Sequence, residues 1–251
     1  MTETSGSGDV HRSLALLWDP TGGPARGQPG RLSLEAVVDA AISVADADGL
    51  EAVSMRRIAG ELGVGTMSLY RHVPGKEELL DLMLDRVLGD DDPTPFPVDW
   101  RATLERYGRE VWALYRTHRW LPFVDQSRPL LGPRAVTGME AVLGGLTDTP
   151  ASDTHKILAF SMVETYVAGL ARVTNGAELA EERSGVSTEE FWQAQGPVLV
   201  AAMQSGRFPR MAALDEEVFA TTPEETFEFG LGVLLDGLAP RLGGTAVDSA
   251  G

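Results

Sequence analysis

The sequence predicts an all-α chain: an N-terminal three-helix unit containing a helix-turn-helix, then a larger helical domain. Three observations predict this. Apolar residues recur at helical spacing along most of the 251 residues, and no period-2 alternation of any length marks a strand. Residues 54–76, SMRRIAGELGVGTMSLYRHVPGK, carry the offsets of two helices crossing steeply through a short turn. Residues 89–99, GDDDPTPFPVD, interrupt the helical pattern with acids and three prolines, which places a boundary there.

The elements follow in order. Residues 1–30 are rich in Gly, Pro and Ser, with one short apolar piece from Leu14 to Trp18, and are expected to form a flexible arm. Ser33 is a good N-cap for a first helix with Leu34, Val37, Val38, Ala41, Ile42 and Ala45 inward. In the next pair of helices Ala59 is small where the two must cross. Gly63 supplies the positive φ that the turn needs, and Leu69 points back into the small core. Pro74-Gly75 stops the second helix of the pair. The segment from Lys76 to Leu88 is apolar around much of its circumference, so it should be buried on more than one side. These pieces define a unit over 31–89, too small at about 60 residues to be comfortable as a lone core.

Over 98–242 the candidate helices are Trp100–His118, Pro133–Leu146, Thr154–Val173, Thr188–Gln204 and Pro223–Leu238. Polar loops are expected at 174–187 and 205–217, and a disordered tail at 243–251.

The outer face of the helix after Gly65 suits DNA. Leu69 and Val73 face inward, which leaves Thr66, Met67, Ser68, Tyr70, Arg71 and His72 to point elsewhere. A reading helix needs a few side chains at base edges and neighbours at phosphates. Arg56 can pair with guanine in bidentate fashion, Met67 suits a thymine methyl group, and Lys76 with the backbone N–H groups beside it can hold a phosphate. The formal net charge of −16 does not oppose this, because salt screens charges beyond about 8–10 Å. From Val53 to Lys76 the cations are Arg56, Arg57, Arg71 and Lys76, against Glu61 alone. Two readings of the arm stand open: a disordered tail, or an arm placing Arg26 or Arg31 in the minor groove.

The stretches LSLEAVVDAAISVADADG, GLEAVSMRRIAGELGVGTMSLYRHV and PGKEELLDLMLDRVLG resemble the TetR family of transcriptional regulators, from about Leu32 to Gly89. LYRHVPGKEELL is especially specific. Carried over by position, the DNA-facing residues are Arg56, Thr66, Met67, Ser68, Tyr70, Arg71, His72 and Lys76. The resemblance implies a homodimeric repressor on a palindromic operator, released by a small-molecule inducer bound in the second domain. An activator, or a helical enzyme or binder keeping the motif as scaffold, are the alternatives.

Within the second domain, Trp112, Tyr115, His118, Trp120, Phe123, Phe160, Glu164, Trp192 and Gln195 are candidate ligand contacts, because drug-sized pockets are apolar and aromatic with a few polar groups. Glu164 interrupts an apolar run, ILAFSMVETYVAGL, where an acid is costly unless paired. It either pairs with Lys156 or Arg172 or lies at an exposed edge, or it recognises a cationic or hydroxylated ligand. Phe191 and Leu199, with Phe227, Leu231, Leu234 and Leu238, are candidate dimerisation residues; the alternative is that they form internal core.

Other classes fall away. No phosphate loop, GxSxG or HExxH is present, and nothing places Glu164 beside His118 or His155 for acid–base chemistry. Four scattered histidines and no cysteines give no metal-ligand spacing, so no metal or cofactor is expected. No segment approaches roughly 20 uninterrupted apolar residues, and the N-terminus lacks a basic region and cleavage site. A cytoplasmic protein with no membrane partner is expected. Scant Lys beside abundant Arg, Ala and Gly points to a GC-rich bacterial genome, and the family resemblance implies an actinobacterial source.

Overall fold

Helix α2 (Leu34–Asp48) begins where Ser33 Oγ accepts the Ala36 N–H at 3.1 Å, and it buries Val37, Val38, Ala41, Val44 and Ala45. The computed structural model of the chain describes residues 3–18, 32–89 and 94–243. Helix α3 (Met55–Glu61) is capped by Ser54 and turns at Gly63, whose φ is +63°. Ala59, Leu69 and Val73 are buried, as the offsets require. Helix α4 (Thr66–Leu69) is a single regular turn, shorter than expected. It continues as hydrogen-bonded turns, with the Val73 N–H reaching the Leu69 carbonyl at 2.9 Å.

Helix α5 (Lys76–Val87) is buried on several sides, against α2, α1 (Val10–Trp18) and α7 (Pro133–Gly145). Its leucines fill the core, but it also buries Glu78, Asp81 and Asp85. A buried carboxylate needs hydrogen-bond donors. The Ser5 and Ser13 hydroxyls donate to Asp81 at 3.1 and 2.8 Å, joined by the Gly6 N–H at 2.9 Å. Asp85 accepts the Arg134 and Ala135 N–H groups at 3.1 Å each and so caps α7, whose own N-cap, Gly132, has no side chain to do so.

This corrects the expected arm. Residues 3–18 have linker-like composition, yet their serines and glycine supply the donors that Asp81 requires, and they fold onto α5. Thr4 also forms an isolated parallel bridge with Asp125. Arg26, Arg31 and the tail beyond Gly243 lie outside the described residues.

The second domain is built on α6 (Trp100–Thr117), α8 (Asp153–Ser184) and α10 (Pro223–Leu242), which pack on one another. Gly108 of α6 lets Leu231 and Val163 approach; an added Cβ would lie 3.1 Å from a Leu231 methyl. The loop expected at 174–187 is mostly helix. Asn175 reads as a breaker but is fully buried. Its Nδ2 donates to the carbonyls of Tyr115 at 2.8 Å and Arg119 at 3.2 Å, closing the C-terminal end of α6, while its Oδ1 accepts from Arg116 at 2.6 Å. Arg116 also binds Glu178 at 2.6 Å, pinning the next turn of α8. The helix ends only at Gly185, with φ +69°.

Helix α9 (Thr188–Gln204), opened by a Ser187–Glu190 capping box, buries no residue. Helix α8 is long and apolar enough by composition to cross a membrane, with a mean hydropathy of 1.3 over its most apolar window. That qualifies the expectation from uninterrupted runs; only 22% of that window is buried, so packing against α6 and α10 uses one stripe of it.

Candidate nucleic-acid interface and effector site

The short α4 and the turns after it project a polar face. Met67 is 77% exposed and Tyr70 45%, while Arg56 and Arg71 are exposed and Thr66, Ser68 and His72 half-buried. Arg71 Nη2 donates to Ser68 Oγ at 3.1 Å, which steadies both. Two of the four local cations are already engaged. Arg57 pairs with Asp48 and Glu61, each at 2.9 Å, and Lys76 Nζ lies 2.8 Å from Glu3 Oε1. Arg56 and Arg71 are therefore the cations most available to DNA.

The residues expected around a ligand separate into four places. Trp112 stacks on Phe227 at 5.0 Å between centroids, and Phe160 stacks on Tyr107 at 4.8 Å. Tyr115 is buried in the same α6–α8 seam, and Glu164 lies close enough to raise the pKa of both Tyr107 and Tyr115, after burial as the main cause. Glu164 is exposed to solvent on α8, yet neighbouring protein partly desolvates its carboxylate, which pushes its pKa upward. No cation pairs with it among the described residues: Lys156 lies 3.8 Å from Asp153, and Arg172 donates to the Pro122 carbonyl.

His118 and Trp120 are elsewhere. Both donate to Asp46 Oδ1 of α2, from Nδ1 at 2.8 Å and Nε1 at 2.7 Å, and so tie the three-helix unit to the second domain. A carboxylate only accepts, so Nδ1 carries the proton. Phe123 sits beneath Arg172, 5.3 Å from its ring centroid, facing Gly176. Trp192, 58% exposed, and Gln195 lie on α9, which packs little on its own chain.

The expected dimer residues also divide. Phe227, Leu231 and Leu238 are buried inside the chain and Leu234 is half-buried, because this stripe of α10 faces α6 and α8. Phe227, Leu231 and Leu238 form internal core, which corrects their assignment, while Leu234 packs against it only in part. Phe229 (75% exposed) and Val233 mark the other face of α10, alongside exposed Phe191 and Leu199 of α9 and Ile157, Leu158 and Met162 of α8.

Residues 37–83 match the family described as bacterial regulatory proteins, tetR family, and residues 93–242 match the tetracyclin repressor-like C-terminal domain. The chain belongs to the TetR family of transcriptional regulators. It is 52% identical over 242 residues to the HTH-type transcriptional repressor DrrR1 of Streptomyces coeruleorubidus, covering 94% of this chain and 88% of that one. It is 29% identical to apo ActR from Streptomyces coelicolor, with a TM-score of 0.70 over 87% of this chain and all of that one. ActR in complex with actinorhodin gives 28% and 0.68, covering 86% of this chain and 100% of that one.

TetR-family regulators bind DNA and small ligands as homodimers. This chain is accordingly a ligand-responsive TetR-type regulator, and the family match sets the enzyme alternative aside. In this TetR-type chain, sequence reasoning missed Tyr107, Asp46 and the carboxylates of α5. Tyr107 was legible as the i−8 neighbour of Tyr115 on one helix face. Asp46 and Asp81 carried no local signal, since their partners lie more than 60 residues away in sequence.

Proposed function

We propose that this protein is a cytoplasmic, homodimeric repressor that binds a palindromic operator through residues 66–73 and is released by an aromatic, cationic or hydroxylated inducer. The observation that carries the DNA half is an outward face with Arg56, Met67, Tyr70 and Arg71 exposed and Thr66, Ser68 and His72 half-buried among them, on a buried Leu69–Val73 support. Lys76, opening α5 directly after that face, is assigned to a phosphate. A two-fold dimer presents two such faces about one DNA turn apart, hence the palindrome. The repressor described for the 52% identical relative supports the sign of regulation.

In the effector half, residues 98–242, the inducer lies against Tyr107, Tyr115 and Phe160, with Glu164 as the polar contact. ActR in complex with actinorhodin supports an aromatic ligand class. The α8–α10 face bearing Ile157, Leu158, Met162, Phe229 and Val233 receives the second copy, and α9 reaches out beside it. Ligand shifts α5, and with it the reading heads, only to the extent that it binds the DNA-released state more tightly.

The test is a pair of substitutions, Tyr70→Ala and Lys76→Ala. Each alone weakens operator binding and the two together abolish it, while inducer binding, read by quenching of tryptophan fluorescence, is retained. Loss of both, or of neither, contradicts the division of labour.

A further inference from the structure

The assigned phosphate contact is already occupied from within the chain. Lys76 Nζ meets Glu3 Oε1 at 2.8 Å, and the two side chains are only about a third exposed, 31% and 36%. The partner is no loose end. The Glu3 carbonyl accepts the Asp125 N–H at 2.9 Å and the Ser5 N–H donates to the Asp125 carbonyl at 3.0 Å. Three donors from Ser5, Gly6 and Ser13 converge on Asp81, the Asp9 N–H reaches Glu78 at 3.4 Å, and Trp18 Nε1 donates to the Leu131 carbonyl at 3.0 Å. These contacts fix the segment at both ends, on α5 and on the 125–131 stretch of the second domain.

We propose that residues 3–18 are an intramolecular clasp whose Glu3 carboxylate competes with operator phosphate for Lys76. The inference rests on the DNA-binding reading of Lys76. Carboxylate and phosphate are both anionic acceptors for one ammonium, and neither tolerates the other beside it. DNA engagement therefore has to break the Glu3–Lys76 pair, and re-forming the pair favours release. Because the same segment is held by Asp125, just after the Leu121–Phe123 turn that packs on α8, movement of that stretch on ligand binding is transmitted to Glu3 without passing through the core of α5.

The experiment is fluorescence anisotropy of full-length protein with a duplex recovered by selection. Glu3→Gln tightens operator binding, up to about fivefold per half-site, the range of a partly exposed ion pair. Glu3→Lys tightens it further. Lys76→Ala weakens binding, and in that background Glu3→Gln has no effect. Equal affinity of wild type and Glu3→Gln, or the same gain with and without Lys76, overturns the clasp while leaving the DNA-binding reading intact. Absence of binding by wild type and every variant overturns both.

Discussion

Replacing Asp46 with alanine removes one carboxylate from α2 and leaves two donors of the second domain without their acceptor. The two donors are not equal. Trp120 is 4% exposed, so its indole N–H has little access to water once Asp46 is gone. An unsatisfied buried donor costs about 1–3 kcal/mol. His118 has a side chain 17% exposed and can turn to solvent, so its loss is about 0.5–1 kcal/mol, that of an ordinary hydrogen bond. Together they give a destabilisation of about 1.5–4 kcal/mol, equivalent to a fall in Tm of about 3–16 °C for a chain of this size. The assay is thermal denaturation of Asp46→Ala, Trp120→Phe and the double variant. With Phe at 120 the orphaned donor is absent, and Asp46→Ala then costs about 1 kcal/mol or less, that of the His118 bond alone. The same variant also loosens the tie between the reading unit and the effector domain, so inducer binds normally but releases DNA less completely. An unchanged Tm with a normal induction curve would refute the reasoning.

Asn175→Leu keeps the side-chain size but orphans the Tyr115 and Arg119 carbonyls and frees Arg116. It is expected to destabilise by about 2–4 kcal/mol in urea denaturation. Ionised Glu164 is desolvated, so its pKa is raised on folding; its protonated form is favoured, and the associated stability is present at low pH and lost as pH rises through the raised value. Glu164→Gln therefore raises Tm at neutral pH. In wild type, a cationic inducer binds more tightly as pH rises through that same range, a dependence the variant lacks in calorimetric titration. Phe229→Glu with Val233→Glu places charges on the exposed α10 face and yields monomers in sedimentation without loss of helicity; intact dimers would move the interface elsewhere.

The fold was legible wherever a rule is local. Ser33 as N-cap, Gly63 in the turn and the Leu69–Val73 pair each answer to neighbours within a few residues, and each is placed as the pattern requires. Legibility failed where polar residues serve distant partners. Asn175 and Gly176 look like a loop, but one closes α6 and the other continues α8 beside Phe123. Ser5 and Ser13 look like linker, but they satisfy Asp81. The candidate effector site was half legible for the same reason. Aromatic composition singled out Trp112, Tyr115, Phe160, His118 and Trp120 alike, but it does not tell a seam between helices from a domain junction: the first three lie in the seams among α6, α8 and α10, and the last two belong to the junction with Asp46. On α10 both stripes are apolar, and only packing shows that Phe227 and Leu231 face inward while Phe229 and Val233 face out.

The measurement that tests the central claim most directly is selection of bound sequences from random duplex DNA, with and without a panel of cationic and polyketide-like aromatic compounds. The account predicts a palindromic motif with half-sites about one helical turn apart, which at least one compound releases. Failure to enrich any motif at low salt, or enrichment of a motif that no compound in the panel releases and Glu164→Gln leaves unaffected, would contradict it.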